Sequence, residues 1–293
     1  LARRSDSEEE GEGEEEEEEE EEEWYDIHRL VHLATRIWVG KHGDAAKVLD
    51  EAVQQVAGVF PSDDYANRAV WRAYLPHALR LLESVQECSV EERSELCLLV
   101  GRCLRVDGRI REAVRWLEES CQWREGLDED DPDLLLSQHV LAMAYQADGQ
   151  VQKAVELLEH VVAVREKGLA EDHPNRLASQ HVLAGAYRAD GQVQKAVELL
   201  EHVVTVEGKV LAEEHPDRLA SQHELARAYQ ADGQVQKAVE LLEHIVQVEE
   251  KMLAEEHPDR LASQHELARA YQADGQVQKA VELLEHIVQV EEK

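Results

Sequence analysis

The sequence has no apolar run approaching the roughly 20 residues that a membrane-spanning helix needs, and no apolar segment follows its amino terminus. Basic residues are scarce, because 31 Lys and Arg stand against 64 Asp and Glu, for a formal net charge of −33. Nucleic acids and anionic membranes are bound by clustered basic side chains, so we expect neither as a partner. These absences predict a soluble cytoplasmic protein.

Cysteine and catalytic motifs are equally sparse. The four cysteines, Cys88, Cys97, Cys103 and Cys121, include no CxxC pair, so we predict thiols packed as small hydrophobic side chains. No GxxxxGK[ST] loop occurs, and no GxGxxG follows a strand pattern. Other enzyme motifs are missing as well. The sequence therefore predicts a protein without catalytic activity and without a cofactor of its own.

The amino-terminal residues 1–23 form an acidic low-complexity segment. Residues 8–23 are Glu interrupted only by Gly11 and Gly13, with Glu14 to Glu23 unbroken. A segment with no apolar surface to bury and strong self-repulsion is expected to be disordered. Its function is open between an acidic tail for basic partners and a low-complexity insertion tolerated in a loop.

Internal repetition decides the fold class. Glycine recurs every 42 residues, at Gly149, Gly191, Gly233 and Gly275, and so does proline, at Pro132, Pro174, Pro216 and Pro258. Residues 215–251 return unchanged as residues 257–293. A fixed period in this range is the signature of a solenoid, in which stacked units share one core.

Each unit is predicted to form two helices, A and B. Pro216 and Asp217 suit the first turn of helix A, and Gly233 provides the break before helix B. Apolar residues at spacings of three and four define one face of helix B, which is broad enough to touch two neighbours. These residues are Val235, Ala238, Val239, Leu241, Leu242, Ile245, Val246 and Val248. One hairpin cannot bury such a face, so stacking must supply the core.

The spacing within a unit resembles the tetratricopeptide pattern of a large residue, a small residue, Tyr, Gly, Ala and a bulky apolar residue. The matching residues are Leu225, Ala226, Tyr229, Gly233, Ala238 and Leu242. The 42-residue period and the His-Pro-Asp opening are similar to the longer, kinesin-light-chain type of repeat. The resemblance implies an all-α, right-handed superhelical solenoid. We predict four near-identical units over residues 131–293 and a degenerate first unit over residues 88–130.

Residues 24–87 are predicted to be a non-repetitive helical region. The segment from Trp24 to Arg36 resembles the end of the winged-helix region in fungal STAND (NLR-like, NB-ARC) proteins that carry tetratricopeptide arrays. In that family a hydrophobic–His–Asp motif follows the wing, and its His contacts the β-phosphate of ADP. The resemblance implies this role for His28 in an intact nucleotide-binding parent, although Arg29 replaces the usual acid.

Histidine is the repeated candidate for site chemistry. It recurs in helix A, in helix B and at the His-Pro openings, for example at His223, His244 and His215. Equivalent residues of stacked units lie roughly 10–20 Å apart, at one to two interaxial spacings, whereas zinc ligands lie about 2 Å from one ion. We therefore predict no metal site, and expect surface and capping histidines copied with the unit.

Helix A lines the concave face of tetratricopeptide arrays, so its polar residues are the candidate partner site. His223 with Arg227, and His265 with Arg269, lie four residues apart on one helix face, and His181 is the earlier counterpart. These cations predict a groove for an extended or helical peptide of acidic character. Alternatively, the arginines pair with Glu224 and Glu266 as part of a solvated face.

Two functions remain open at this point. The resemblance implies the ligand-sensing and assembly arm of a fungal NLR-like signalling ATPase whose nucleotide-binding core lies elsewhere. The alternative is a stand-alone adaptor of kinesin-light-chain character. In both cases the protein is a scaffold for protein–protein interaction. The apolar stripe of the last helix B also predicts either that the natural array continues or that the chain self-associates end to end through its carboxy-terminal unit.

Overall fold

The structure, a computed structural model, describes residues 45–84 and 91–291. These residues form twelve α-helices, one short 3₁₀ helix (Tyr65–Asn67) and no strand. The α-helices are α1 Ala45–Val59, α2 Arg68–Ser84, α3 Glu92–Val106, α4 Ile110–Arg124, α5 Pro132–Ala147, α6 Val151–Gly168, α7 Pro174–Ala189, α8 Val193–Val210, α9 Pro216–Ala231, α10 Val235–Met252, α11 Pro258–Ala273 and α12 Val277–Glu291. The all-α prediction is confirmed, whereas the acidic segment and His28 lie outside the described residues. None of these helices has the length and apolarity needed to cross a bilayer.

The repeated prolines and glycines set the helix ends as predicted. Each proline begins a helix A, and the residue before it caps that helix. Nδ1 of His215, for instance, accepts a hydrogen bond of 3.2 Å from the Asp217 backbone N–H. Gly233 has a φ of 78°, which lets the Gln234 N–H reach the Tyr229 carbonyl at 2.8 Å and close helix A.

The helices stack as consecutive A/B hairpins, from α3/α4 to α11/α12, in the helix-turn-helix packing of a tetratricopeptide solenoid. Each helix B from α4 to α10 packs between its own helix A and the helix A of the next unit. Helix A also contacts the following helix A directly, in the pairs α3–α5, α5–α7 and α7–α9. Because the A helices are this close, they line the inner, concave face.

The two ends of the array differ. At the amino-terminal end, α1 and α2 pack on α3 and bury Trp71 and Leu75. At the other end, the outer stripe of α12 is exposed, although the same residue types in α10 are buried beneath α11. Exposure rises from 0% at Leu242 to 40% at Leu284, and from 6% at Val246 to 49% at Val288. An apolar helix face is thus uncovered at α12.

Candidate functional site

Successive A helices share three equivalent side-chain clusters, one at each junction between 42-residue units. Each junction cluster combines a histidine of one helix A, a serine of the next helix A, and a charged residue near the end of the intervening helix B. The first consists of His139, Arg165 and Ser179, the second of His181, Glu207 and Ser221, and the third of His223, Glu249 and Ser263.

The first junction cluster holds a buried cation. Arg165, which is 6% exposed, donates from Nη1 to Ser179 Oγ and to the Asn175 carbonyl oxygen, the latter at 2.7 Å. His139 Nδ1 lies 3.2 Å from the same serine oxygen. Burial and the neighbouring charge of Arg165 lower the pKa of His139 to about 4. This histidine is therefore neutral at pH 7.

The second junction cluster has a buried acid in place of the arginine. Ser221 donates to Glu207 Oε1 at 3.0 Å and lies 3.2 Å from His181 Nδ1. Glu207 is 3% exposed, and its Oε2 has no hydrogen-bond partner. Burial raises the pKa of Glu207 to about 7, although the bond from Ser221 opposes the shift. Burial also lowers the pKa of His181, so this cluster carries no stable cation.

The third junction cluster contains a charged histidine between two carboxylates. His223 Nδ1 lies 3.2 Å from Glu266, while Nε2 lies 3.0 Å from Ser263 and 3.7 Å from Glu249. Burial alone lowers the pKa of His223, but the hydrogen bonds and charges of Glu249 and Glu266 raise it to about 9. The imidazolium is the stable form at pH 7.

The residue contributed by the following helix A distinguishes the three histidines. For each histidine we compare the same position of the next helix A. That position holds Val182 in the case of His139, Glu224 in the case of His181 and Glu266 in the case of His223. Glu224 is held by Arg188 Nε at 2.8 Å, whereas Glu266 bonds His223 directly. The histidine charge therefore follows the local supply of carboxylates.

The structure brings part of the predicted concave site together, and carboxylates of the chain itself pair with the cations His223 and Arg227. Arg227 donates from Nε to Glu266 at 2.8 Å and from Nη1 to Glu224 at 3.5 Å, as the alternative interpretation of these arginines anticipated. Arg269 is exposed and forms no hydrogen bond or ion pair with the described residues. His265 lies four residues before it on the same helix. Of the predicted cations at this end of the groove, Arg269 is the one that no described residue engages.

The buried charges Arg165, Glu207 and Glu249 were missed by sequence reasoning. The signal was present, because Glu207 continues the apolar register of Ala196, Leu200 and Val203 along α8. A charged residue in a buried register marks a position with specific polar partners. The serine that forms a hydrogen bond with each charged side chain lies on the next unit of the array.

The other repeated histidines have structural roles. His173, His215 and His257 accept the capping hydrogen bonds of their A helices. The B-helix histidines are partly exposed and lie near carboxylates of the preceding inter-helix loop, as His244 does with Glu213 at 3.3 Å. Within residues 45–84 and 91–291, no three His, Cys, Asp or Glu side chains are grouped to hold a metal ion.

Comparison with known proteins agrees with the architecture. The family model described as tetratricopeptide repeat matches residues 93–167, 133–207 and 209–293. A "nucleotide-binding leucine-rich repeat (NLR)-like protein" of Hyaloscypha variabilis is 33% identical over 114 residues. That match covers 38% of this chain and 12% of the relative, so the chain corresponds to a small part of the relative's length.

Solved structures give the same result. Nearly identical TPR-like repeats from a Podosopora anserina protein assigned as a kinesin light chain are 57% identical, with a TM-score of 0.63. The match covers 69% of this chain and 97% of that one. BtubC (BKLC) from P. vanneervenii has a TM-score of 0.60 at 15% identity, over 84% of this chain and 91% of that one, and supports the fold alone.

Proposed function

The chain belongs to the tetratricopeptide-repeat family, and from that premise we propose that it is the ligand-sensing and assembly arm of an NLR-like signalling ATPase. The repeat fold is in general a non-catalytic scaffold for protein–protein interaction. The observation that carries the proposal of an NLR-like parent is the 33% identity to an NLR-like protein. The matched region is only 12% of that relative. The nucleotide-binding core then lies outside this chain, and binding to the array releases it in the cytoplasm.

A stand-alone adaptor of kinesin-light-chain character is the second candidate, favoured by the 57% identity to the Podosopora anserina repeats. The coding sequence upstream of Leu1 distinguishes the two. A GxxxxGK[ST] loop there, with a winged-helix region ending near His28, supports the signalling ATPase. A heptad region without that loop contradicts the ATPase and supports the adaptor.

We propose that the concave face binds a partner segment of acidic character at its carboxy-terminal end. His181, His223, Arg227, His265 and Arg269 all lie on A helices. His181 has a lowered pKa, and Arg227 and His223 are engaged by carboxylates, so they shape the groove rather than supply free charge. Arg269 then supplies the principal contact to an acidic partner.

We expect Arg269→Glu to weaken binding of an acidic peptide by about fivefold, since an exposed charge pair contributes up to ~1 kcal/mol. The measurement is fluorescence anisotropy with a labelled Glu-rich peptide at low salt. Arg111→Glu is the control, because this 95% exposed side chain carries the same charge on a helix B. Equal binding by the two variants would contradict the groove assignment. Arg227→Glu is unsuitable because it would oppose Glu266 and Glu224.

We also propose self-association through the exposed stripe of α12. Because α1 and α2 already cover the amino-terminal end, the pairing is tail to tail, with α12 of one copy packed on α12 of another. The exposed residues are Val277, Val281, Leu284 and Val288.

We expect sedimentation velocity to show a dimer that dissociates on dilution, and Leu284→Glu to shift the chain to monomer. Burying a carboxylate in an apolar contact carries a penalty of several kcal/mol, which a weak dimer does not survive. Gln289→Glu, on an exposed residue off the stripe, serves as the control. A wild-type monomer at high micromolar concentration would rule the dimer out.

A further inference from the structure

We propose that the cavity at the second junction, between α7, α8 and α9, is a binding site for an arginine side chain of a partner protein. The site rests on the proposed partner-binding role of the array. It lies one unit or more away from Arg269 and takes a ligand of opposite charge, so the two can be tested separately.

The cavity has a volume of about 450 Å³ and combines apolar walls with an acidic interior. Leu177, Ala178, Val182, Val210, Leu211 and Ala220 form the walls. Asp172 and Asp217 lie at the exposed rim, while Glu207 and Ser221 are buried at the base. An aliphatic chain with a cationic head satisfies both surfaces, because its methylenes contact the walls and its head meets the carboxylates.

The first junction shows that an arginine is accepted at the equivalent place. There the chain's own Arg165 is buried, and its guanidinium bonds Ser179 and the Asn175 carbonyl. At the second junction Glu207 replaces that arginine, and Ser221 donates a hydrogen bond to the Glu207 carboxylate. The chain itself supplies a guanidinium at the first junction, and a partner protein can therefore supply one at the second.

Among the described residues, no cation is hydrogen-bonded to the Glu207 carboxylate of the second junction; Arg218 acts on it through charge and donates instead to the Leu211 carbonyl at 3.1 Å. Oε2 of Glu207 is buried without a hydrogen-bond partner, and neither Lys nor Arg lines the cavity. A buried carboxylate oxygen in this state favours a donor with positive charge. At the third junction Oε2 of Glu249 is likewise buried without a hydrogen-bond partner, but His223 already lies 3.7 Å from that carboxylate and supplies the cation there. Of the three clusters, the second is thus the one whose own histidine, serine and helix B residue include no stable cation.

The test uses the full chain and a short blocked peptide, acetyl-Ala-Arg-Ala-amide, monitored by methyl NMR. We expect saturable shifts at Val182 and Ala220, and no binding by the citrulline analogue, which has the same shape without charge. The lysine analogue should bind more weakly, since its ammonium cannot form the paired hydrogen bonds. Equal shifts with citrulline would overturn the proposal.

Matched variants locate the site within the repeats. Glu207→Gln should weaken binding at least tenfold, and Glu207→Arg, which copies the first junction, should abolish it. Glu249→Gln at the equivalent position of the next junction should leave the affinity within twofold. Equal loss in Glu207→Gln and Glu249→Gln, or unchanged binding in Glu207→Arg, would refute the site. Acidic-peptide binding at Arg269 should be the same in all three.

Discussion

Replacing Glu207 by Gln should stabilise the protein at pH 8, although it removes a charged hydrogen-bonded side chain from the interior. Burial raises the pKa of Glu207 from 4.5 to about 7, so folding favours its protonated form. The folded chain then holds a proton that the unfolded chain releases between these two values, and stability falls as pH rises from 4.5 to 7. Above pH 7 the ionised, incompletely paired carboxylate carries the whole penalty.

Glutamine removes this penalty, because its amide is neutral and its oxygen accepts the bond from Ser221. At about 1.4 kcal/mol per pKa unit, less the cost of one unpaired amide, we expect a gain of about 1–3 kcal/mol in the free energy of unfolding at pH 8. At pH 4.5 the gain should vanish. Urea unfolding followed by circular dichroism at both pH values measures the difference.

Glu249 offers a matched comparison at the same place in the next unit, and its substitution should have the opposite sign. Its carboxylate accepts from Ser263 at 2.9 Å and lies beside the imidazolium of His223. Glu249→Gln leaves that buried cation with less compensation, so we expect a loss of about 1–3 kcal/mol at pH 8. Changes of the same sign at both positions would contradict the assignment of the two carboxylates.

Local sequence signals predicted the helices because each has a local cause. Pro216 begins α9 where its missing N–H needs no partner, and Gly233 takes the positive φ at the break. The spacing of Leu225, Ala226 and Tyr229 likewise places them in the core. The alternative pairing of Arg227 with Glu224 and Glu266 was also accessible, since three residues separate the first pair and nearly one period the second.

The junction chemistry could not be predicted in the same way, because it depends on contacts between units. Glu207 and Glu249 occupy the same position of the repeat, yet their surroundings differ. Helix A after the second junction carries Glu224, bonded to Arg188, and helix A after the third carries Glu266, bonded to His223. A prediction from the repeat pattern treats all units as equivalent, so it does not contain these differences. The domain boundaries at residues 23, 87 and 130 remain predictions.

The same dependence on neighbours gives the last prediction, which concerns three equivalent histidines. His223 has its pKa raised from 6.5 to about 9 by Glu249 and Glu266 against the effect of burial. A raised pKa means that the folded state binds the proton more tightly. The stabilisation is therefore complete below pH 6.5 and is lost as pH rises through 9.

We expect His223→Gln to lower the free energy of unfolding by about 2–3 kcal/mol at pH 6, because it removes the cation between Glu249 and Glu266, and only Glu266 keeps another cationic partner, Arg227. The difference from wild type should shrink steadily toward pH 9. His139→Gln should show the reverse trend, since the wild-type His139 pKa is lowered to about 4. As pH falls from 6.5 to 4, protonation of the unfolded chain destabilises the wild type, and the glutamine variant escapes this loss.

Measured over pH 5 to 9, the differences of the two variants from the wild type should thus change in opposite directions, although both substitutions are at the same position of the repeat. His181→Gln, at the intermediate position, should differ little from wild type above pH 6.5, because lowering its pKa leaves it neutral there. Parallel pH profiles for His139→Gln and His223→Gln would show that the neighbouring side chains do not set the charge of each histidine. Opposite slopes would assign that control to the residues that differ between the two junctions, which are Arg165 and Val182 at the first and Glu249 and Glu266 at the third.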